Sequence, residues 1–245
     1  MNPLEATLAS ADAINGLGSH FMMDMDTYAH GAELGFDGMD FYVAGRGGAL
    51  GDVSGSDVAA AFVFFEPTYV ATSWDRTAAI LPREKAAAEF AGVAARWAES
   101  HVPDSFDAAR LAALAGRIGD AASPAGAPLF AGWRALAKPA ADQPKALAIH
   151  RVNALRELRG ALHGAAILSQ GISAHAAVAC RTPYMLDVFG WPAPHPDKAE
   201  VSESWDAAQV ATDLAVAHAF EPLSEAARAE FAALANALQA AVTAA

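Results

Sequence analysis

The sequence predicts an all-α protein, a multi-helix orthogonal bundle of about nine to eleven helices with no significant sheet, and three observations carry that expectation. Alanine dominates long stretches in which apolar residues recur at three- and four-residue spacing. Convincing alternation of apolar and polar residues, the mark of half-buried strands, is absent. Hydrophobic residues make up 54% of the 245 positions and charged ones 18%, the balance of a chain that buries a core and not of a disordered one. The length suits one compact helical domain over residues 1–245, with a subdivision into 1–122 and 128–245 as the alternative.

Asn2 as N-cap with Pro3 at the first helical position opens the first helix, and the Gly16-Leu17-Gly18 punctuation predicts its end. A second helix is expected from Ser19 to about Glu33 and a short third from Asp37 to Ala44. The following Gly45-Arg46-Gly47-Gly48-Ala49-Leu50-Gly51 reads as a loop, too rich in glycine for a helix. Ser56 caps an apolar helix over Val58 to Phe65, which Pro67 kinks or ends. Pro82 opens a long amphipathic helix to about Ser100; Val102-Pro103-Asp104 breaks it, and Asp104 or Ser105 caps the next, which ends near Ala122. A Pro/Gly/Ala linker over Ser123 to Pro128 leads to a short helix around Phe130 to Ala137. Pro144 to Ser169 is the longest uninterrupted helical pattern, and Gly171-Ile172-Ser173 combines a stop with a new cap. Thr182 to Pro196 holds four prolines and two aromatics expected to be exposed, Phe189 and Trp191, so it reads as a surface loop or lid. Two further helices, Lys198 to Phe220 and Ser224 to Ala241, complete the pattern.

The net charge is -12, from 16 Lys+Arg against 28 Asp+Glu, which argues against a protein that coats phosphate backbones. The distribution is more informative than the total. Through Asp75 there are eleven acids and one base, Arg46. No stretch of ~18 apolar residues is free of charge, and no basic segment followed by an apolar one opens the chain. With the single cysteine, Cys180, which forms no internal disulfide, these features predict a cytoplasmic protein that does not cross a membrane.

Arg156, Arg159 and His163 follow one another at three- and four-residue spacing in the longest helix, so they project along one stripe. Two guanidiniums and an imidazole on one face suit a carboxylate or phosphate; the alternative is an ion-paired stripe, with Glu157 and the acidic N-terminal third as partners. Gly160 inside that helix costs ~1 kcal/mol relative to alanine, which suggests close approach of another backbone or a ligand. Arg46, the lone base among eleven acids, either bridges to them or points into a site. The glycine-rich stretch around it fits neither a phosphate-binding P-loop nor a dinucleotide fingerprint. His20 and Asp24, with His30 further along, stand at spacings that can hold a divalent metal, although methionines such as Met22 and Met25 are ordinary core filler. Eight histidines offer haem ligands without choosing among them. Cys180 beside Arg181 offers little as a nucleophile, with His175 off its helical face. For acid/base work the plausible groups are His163, His20 and Glu157. Phe62, Phe64, Phe65 and Tyr69 read as core, or as the wall of an apolar pocket, and Asp213 reads as solvent-facing or as a partner for an arginine of the long helix.

The stretches Tyr42 to Gly51, Phe62 to Pro67 with Trp74 beyond it, Leu155 to His163, and Ala211-Thr212-Asp213 occur in an order and spacing that covers most of the chain. On these the sequence resembles an actinobacterial family of helical, helix-turn-helix-like proteins of roughly this length, largely without assigned function. The family pattern usually has proline where Ala49 stands, asparagine at Phe64, histidine at Leu158 and aspartate-glycine at Ala161-Leu162. The resemblance implies an all-helical fold with a winged-helix ancestry in its C-terminal half, here shortened around Thr182 to Pro196.

The leading expectation is a small anionic or amphipathic molecule bound between the N-terminal helices and the long helix. Arg46, Arg156, Arg159, His20 and Phe64 are the expected ligand-binding residues, and His163 and Glu157 the expected catalytic ones, with turnover left open. No metal ligand or cofactor is assigned, nucleic acid is not an expected partner, and exposed apolar surface on Ala-rich helices favours a homodimer. The alternatives are a transcriptional regulator with a degenerate helix-turn-helix and a haem- or metal-dependent enzyme.

Overall fold

The computed structural model describes residues 1–197 and 201–244. Among them are twelve α-helices and no strand. The helices are α1 Pro3–Met23, α2 Met25–Glu33, α3 Asp40–Gly47, α4 Gly55–Phe62, α5 Pro67–Thr77, α6 Arg83–His101, α7 Ala108–Ala121, α8 Pro128–Ala135, α9 Pro144–Ser169, α10 Ala174–Arg181, α11 Ser202–Ala217 and α12 Glu225–Thr243. The expected start at Lys198 lies outside the described residues. α2 is the expected second helix, begun at the Asp24 cap instead of at Ser19, and α5, which opens at the Glu66 cap, is the one helix beyond those expected.

Local chemistry accounts for most boundaries. The Asn2 side chain accepts from Glu5 N, and the Glu5 carboxylate accepts from Asn2 N, a reciprocal cap on α1. The pair Gly16 and Gly18 does not end α1. A Cβ at Gly16 would lie 2.5 Å from the Gln239 amide oxygen and one at Gly18 would lie 2.6 Å from Arg156 Cδ, so the glycines clear room for side chains that cross the helix. The break comes at Asp24, which leaves the helical region at φ -72°, ψ 140° and caps α2 by accepting from Asp26 N. Gly45 and Gly47 likewise sit inside a helix. Their missing side chains admit Phe90 and Trp74, and α3 runs through Arg46 into a short 3₁₀ turn, Gly48–Leu50. Pro67 opens α5 and does not kink a helix. Asp107, rather than Asp104 or Ser105, caps α7.

α9 is the axis of the molecule, with α1, α6, α7, α8 and α11 packed around it. Its Ile149, Val152, Leu155 and Leu158 are buried in a core that draws on residues from Ala6 to Val242. Trp133 donates from Nε1 to the His150 carbonyl at 2.9 Å and stacks on the imidazole. Burial, then the charges of Lys138 and Arg151, push the His150 pKa down from 6.5 to about 4. Between those values the unfolded chain binds a proton here that the folded chain does not. Stability therefore falls as the pH drops through that window, by about 3 kcal/mol for this residue. Urea unfolding followed from pH 7 to pH 4 is expected to show a shallower acid loss for His150→Leu than for the wild type; parallel profiles would mean that His150 is not held neutral.

Candidate functional site

A cavity of about 640 Å³ opens where α1, α3, α9, α10 and α11 converge with the turn between α4 and α5. That size is ordinary for a site holding a small organic molecule. The turn supplies its aromatic wall. α4 ends at Phe62, three residues short of the expected Phe65, because Val63 adopts φ 49°, ψ -62° and Phe64 N donates back to the Phe62 carbonyl at 2.5 Å. This is the strained form of the γ-turn, unusual for a β-branched residue. Gly164 of α9 makes the room, since a Cβ there would stand 2.9 Å from Val63 Cγ1. The reversal brings Phe62, Phe64 and Phe65 to the cavity together.

The expected lid is pinned down at this wall. Trp191 donates from Nε1 to the Phe64 carbonyl at 2.8 Å, Glu66 N donates to the Phe189 carbonyl at 2.8 Å, and Phe65 lies 4.0 Å from Phe189 between ring centres. Phe189 and Trp191, expected to be exposed, are half-buried.

The charged groups lie against this aromatic wall. Arg46 donates to both oxygens of Glu157, from Nε at 2.9 Å and from Nη2 at 2.7 Å, while its guanidinium sits 4.5 Å from the Phe62 ring centre. Glu157 is 2% exposed and Arg46 9%. Arg156 donates to the same Glu157 at 3.0 Å and to the Ser19 hydroxyl at 3.0 Å. Burial opposes the charge on Glu157, but Arg46 and Arg156 override it and hold the carboxyl below the usual range. Burial also opposes the charge on Arg46, and Glu157 more than offsets it, so the guanidinium is bound even more firmly to its proton. Arg159 donates to Asp213 at 2.7 Å, one of the two alternatives that the sequence left open for Asp213.

Of the expected stripe, Arg156, Arg159, Gly160 and His163 all line the cavity. A Cβ at Gly160 would meet nothing within 4 Å. No backbone approaches it, so what the missing side chain leaves open is cavity. His163 contacts the Thr212 hydroxyl at 3.1 Å and packs against Phe64 on one side and Trp205 on the other, at ring distances of 5.7 and 5.5 Å. Burial, then Arg159, push its pKa down to about 4, so the ring is neutral at pH 7.

Other expected residues lie elsewhere. His20 is not among the cavity residues; it stacks on Trp97 at 5.6 Å and shares a hydrogen bond with Gln239. The His20 and Asp24 pairing fails because α1 ends between them, and His30 pairs with Glu89 at 2.9 Å. Among the described residues no group of three or more His, Cys, Asp or Glu could hold a metal. Two lining residues had no sequence signal as ligand contacts. Arg181 lies 4.8 Å over the Trp205 ring, and the two are joined only by the packing of α10 on α11 across 24 positions.

α9 and α10 are separated by Gln170 to Ser173, with Gly171 at φ 73° and Ser173 capping α10 through Ala176 N. Two helices joined by so short a glycine-bearing turn have the layout of a helix-turn-helix. The second helix offers little basic surface, however: Ala176 to Ala179 are buried, and its one arginine, the exposed Arg181 at its end, lies over the Trp205 ring. No helix of the described residues is long and apolar enough to cross a membrane. No curated protein and no solved structure matches the chain. The pattern of a helix-turn-helix family matches it over residues 8–210, most of its length, and the protein belongs to that helix-turn-helix family.

Proposed function

We propose that this protein binds a small amphipathic anion in the cavity beside α9. One observation carries the reading. In a chain of net charge -12, the described residues lining this cavity include four arginines, Arg46, Arg156, Arg159 and Arg181, against two acids, Asp12 and Glu157. A positive surplus within a space otherwise lined by aromatic and methionine side chains is what an anionic head and an apolar body require. The roles divide accordingly. Arg46 and Glu157 form the fixed base of the site, with Glu157 a permanent counter-ion and not a proton carrier near neutral pH. Arg159, with a share in Asp213, and Arg156, with its share in Glu157, face the ligand. Phe62 and Phe64 take its apolar part.

A DNA-binding regulator is the second reading, favoured by membership of the family. It needs a helix whose outward face reaches the major groove with several basic residues. The buried middle of α10 and the single arginine at its end do not supply one. A gel shift at low salt that vanishes as salt rises would revive it.

Decanoate, an anion with an apolar chain short enough for the cavity, is the direct probe. Calorimetry is expected to give saturable one-to-one binding, weakened about tenfold by Arg159→Met through loss of a charge-assisted hydrogen bond. Absence of saturable binding of decanoate to the wild type would overturn the proposal, as would an Arg159→Met variant that binds equally well.

A further inference from the structure

Thr212 determines where the proton sits on His163. Its hydroxyl donates to the Ala208 carbonyl at 2.7 Å, the usual bond of a threonine inside a helix. Its oxygen can therefore only accept from His163, and the 3.1 Å contact at Nδ1 is an N–H donor. The lone pair of the ring lies on Nε2, and with the imidazole neutral that atom is an acceptor. Arg156, Arg159 and Arg181 of the same cavity only donate. A ligand that offered nothing but acceptors would satisfy the guanidiniums and leave His163 unused.

Beside His163 stands a donor in the opposite condition. Trp205, which also lines the cavity, is 8% exposed, and its indole Nε1 is buried without a hydrogen-bond partner. The two rings meet edge to face at 5.5 Å. A neutral acceptor next to an unmet donor complements a hydroxyl, which donates and accepts through one oxygen.

Resting on the anion site above, we propose that the ligand is a hydroxylated amphipathic acid. Its carboxylate lies toward Arg159, its hydroxyl donates to His163 Nε2 and accepts from Trp205 Nε1, and its apolar remainder lies against Phe62 and Phe64. Arg159 and His163 are four residues apart on one face of α9, and their side chains are held by consecutive residues of α11, Asp213 and Thr212. That shared anchorage places the hydroxyl within a few bonds of the carboxylate, as in a 2- or 3-hydroxy acid.

The test compares decanoate with 2-hydroxydecanoate and both enantiomers of 3-hydroxydecanoate by calorimetry. At least one hydroxy acid is expected to bind about tenfold more tightly than decanoate. That preference, read as the ratio of hydroxy-acid to decanoate affinity within one variant, is expected to disappear in His163→Phe and in Trp205→Phe, each of which keeps a ring in place. Thr212→Val, which removes the acceptor for Nδ1–H, is expected to reduce it several-fold and serves where a ring variant fails to fold. Long-range ¹H–¹⁵N correlation spectra are expected to show the Nδ1–H form of His163 in the wild type, independently of any ligand. Normal decanoate binding with no preference for any hydroxy acid would overturn the inference and leave the anion site standing. Failure of decanoate itself to bind would remove both. A preference that survives in His163→Phe, or spectra showing the Nε2–H form, would also overturn it.

Discussion

Gly160→Leu is expected to abolish decanoate binding, a loss of about a hundredfold or more, while making the protein more stable. The two effects have separate origins. Glycine inside a helix is less favourable than leucine by roughly 0.5–1 kcal/mol, and no neighbour lies within 4 Å of the new Cβ to take that gain away. The side chain then extends into the space between Arg156, Arg159 and His163, where the head of the ligand is held. Gly160→Ala, which adds one methyl group, is expected to keep most of the stability gain with a smaller loss of binding. Urea unfolding and calorimetry on the same samples check both. Loss of binding together with lower stability would indicate a damaged fold, and unchanged binding would place the ligand away from α9.

The second large effect concerns the buried ion pair. Glu157→Gln keeps the shape of the side chain but leaves Arg46, 9% exposed, without its counter-charge. Removing one partner of a buried pair costs about 3–5 kcal/mol because the other charge remains desolvated. Arg46→Met is expected to cost a similar amount. The double variant Arg46→Met/Glu157→Gln is expected to lose clearly less than the two single losses combined, since no uncompensated charge remains between those two positions. A urea-unfolding cycle measures this, and strict additivity would show that the pair is not coupled. The pH dependence follows from the lowered pKa of Glu157. The pair's contribution is complete above the ordinary glutamate value of 4.5 and is lost as the pH falls through the lower folded-state value. The wild type should therefore lose stability more steeply than Glu157→Gln below pH 4.5.

Much of the fold was legible because its signals are local. Asn2-Pro3, Pro144, Ser173 and Ser224 cap or open helices through atoms within a turn of themselves, and α9 runs over the predicted span from Pro144 to Ser169. The glycines were misread for the opposite reason. Gly16, Gly18, Gly45 and Gly47 look like punctuation along the chain, but each accommodates a side chain from a segment far away in sequence, such as Gln239, Arg156, Phe90 and Trp74. The break at Asp24 and the reversal at Val63 were missed because a cap competes with helix continuation, and a strained turn exists only where packing enforces it.

The sequence by itself determined an all-helical chain, an acidic N-terminal third with one arginine, and a stripe of Arg156, Arg159 and His163 around a glycine, since these depend on composition and on spacing along a single helix. Only the tertiary structure decided what the charges do. Arg46 takes none of the eleven N-terminal acids and binds Glu157, Arg159 takes Asp213, and His20 leaves for Gln239 and Trp97. Those choices join residues up to 219 positions apart. They follow from burial: a charge removed from water must take whichever opposite charge the packing of α3, α9 and α11 brings within hydrogen-bond distance, and no spacing within one helix specifies that partner.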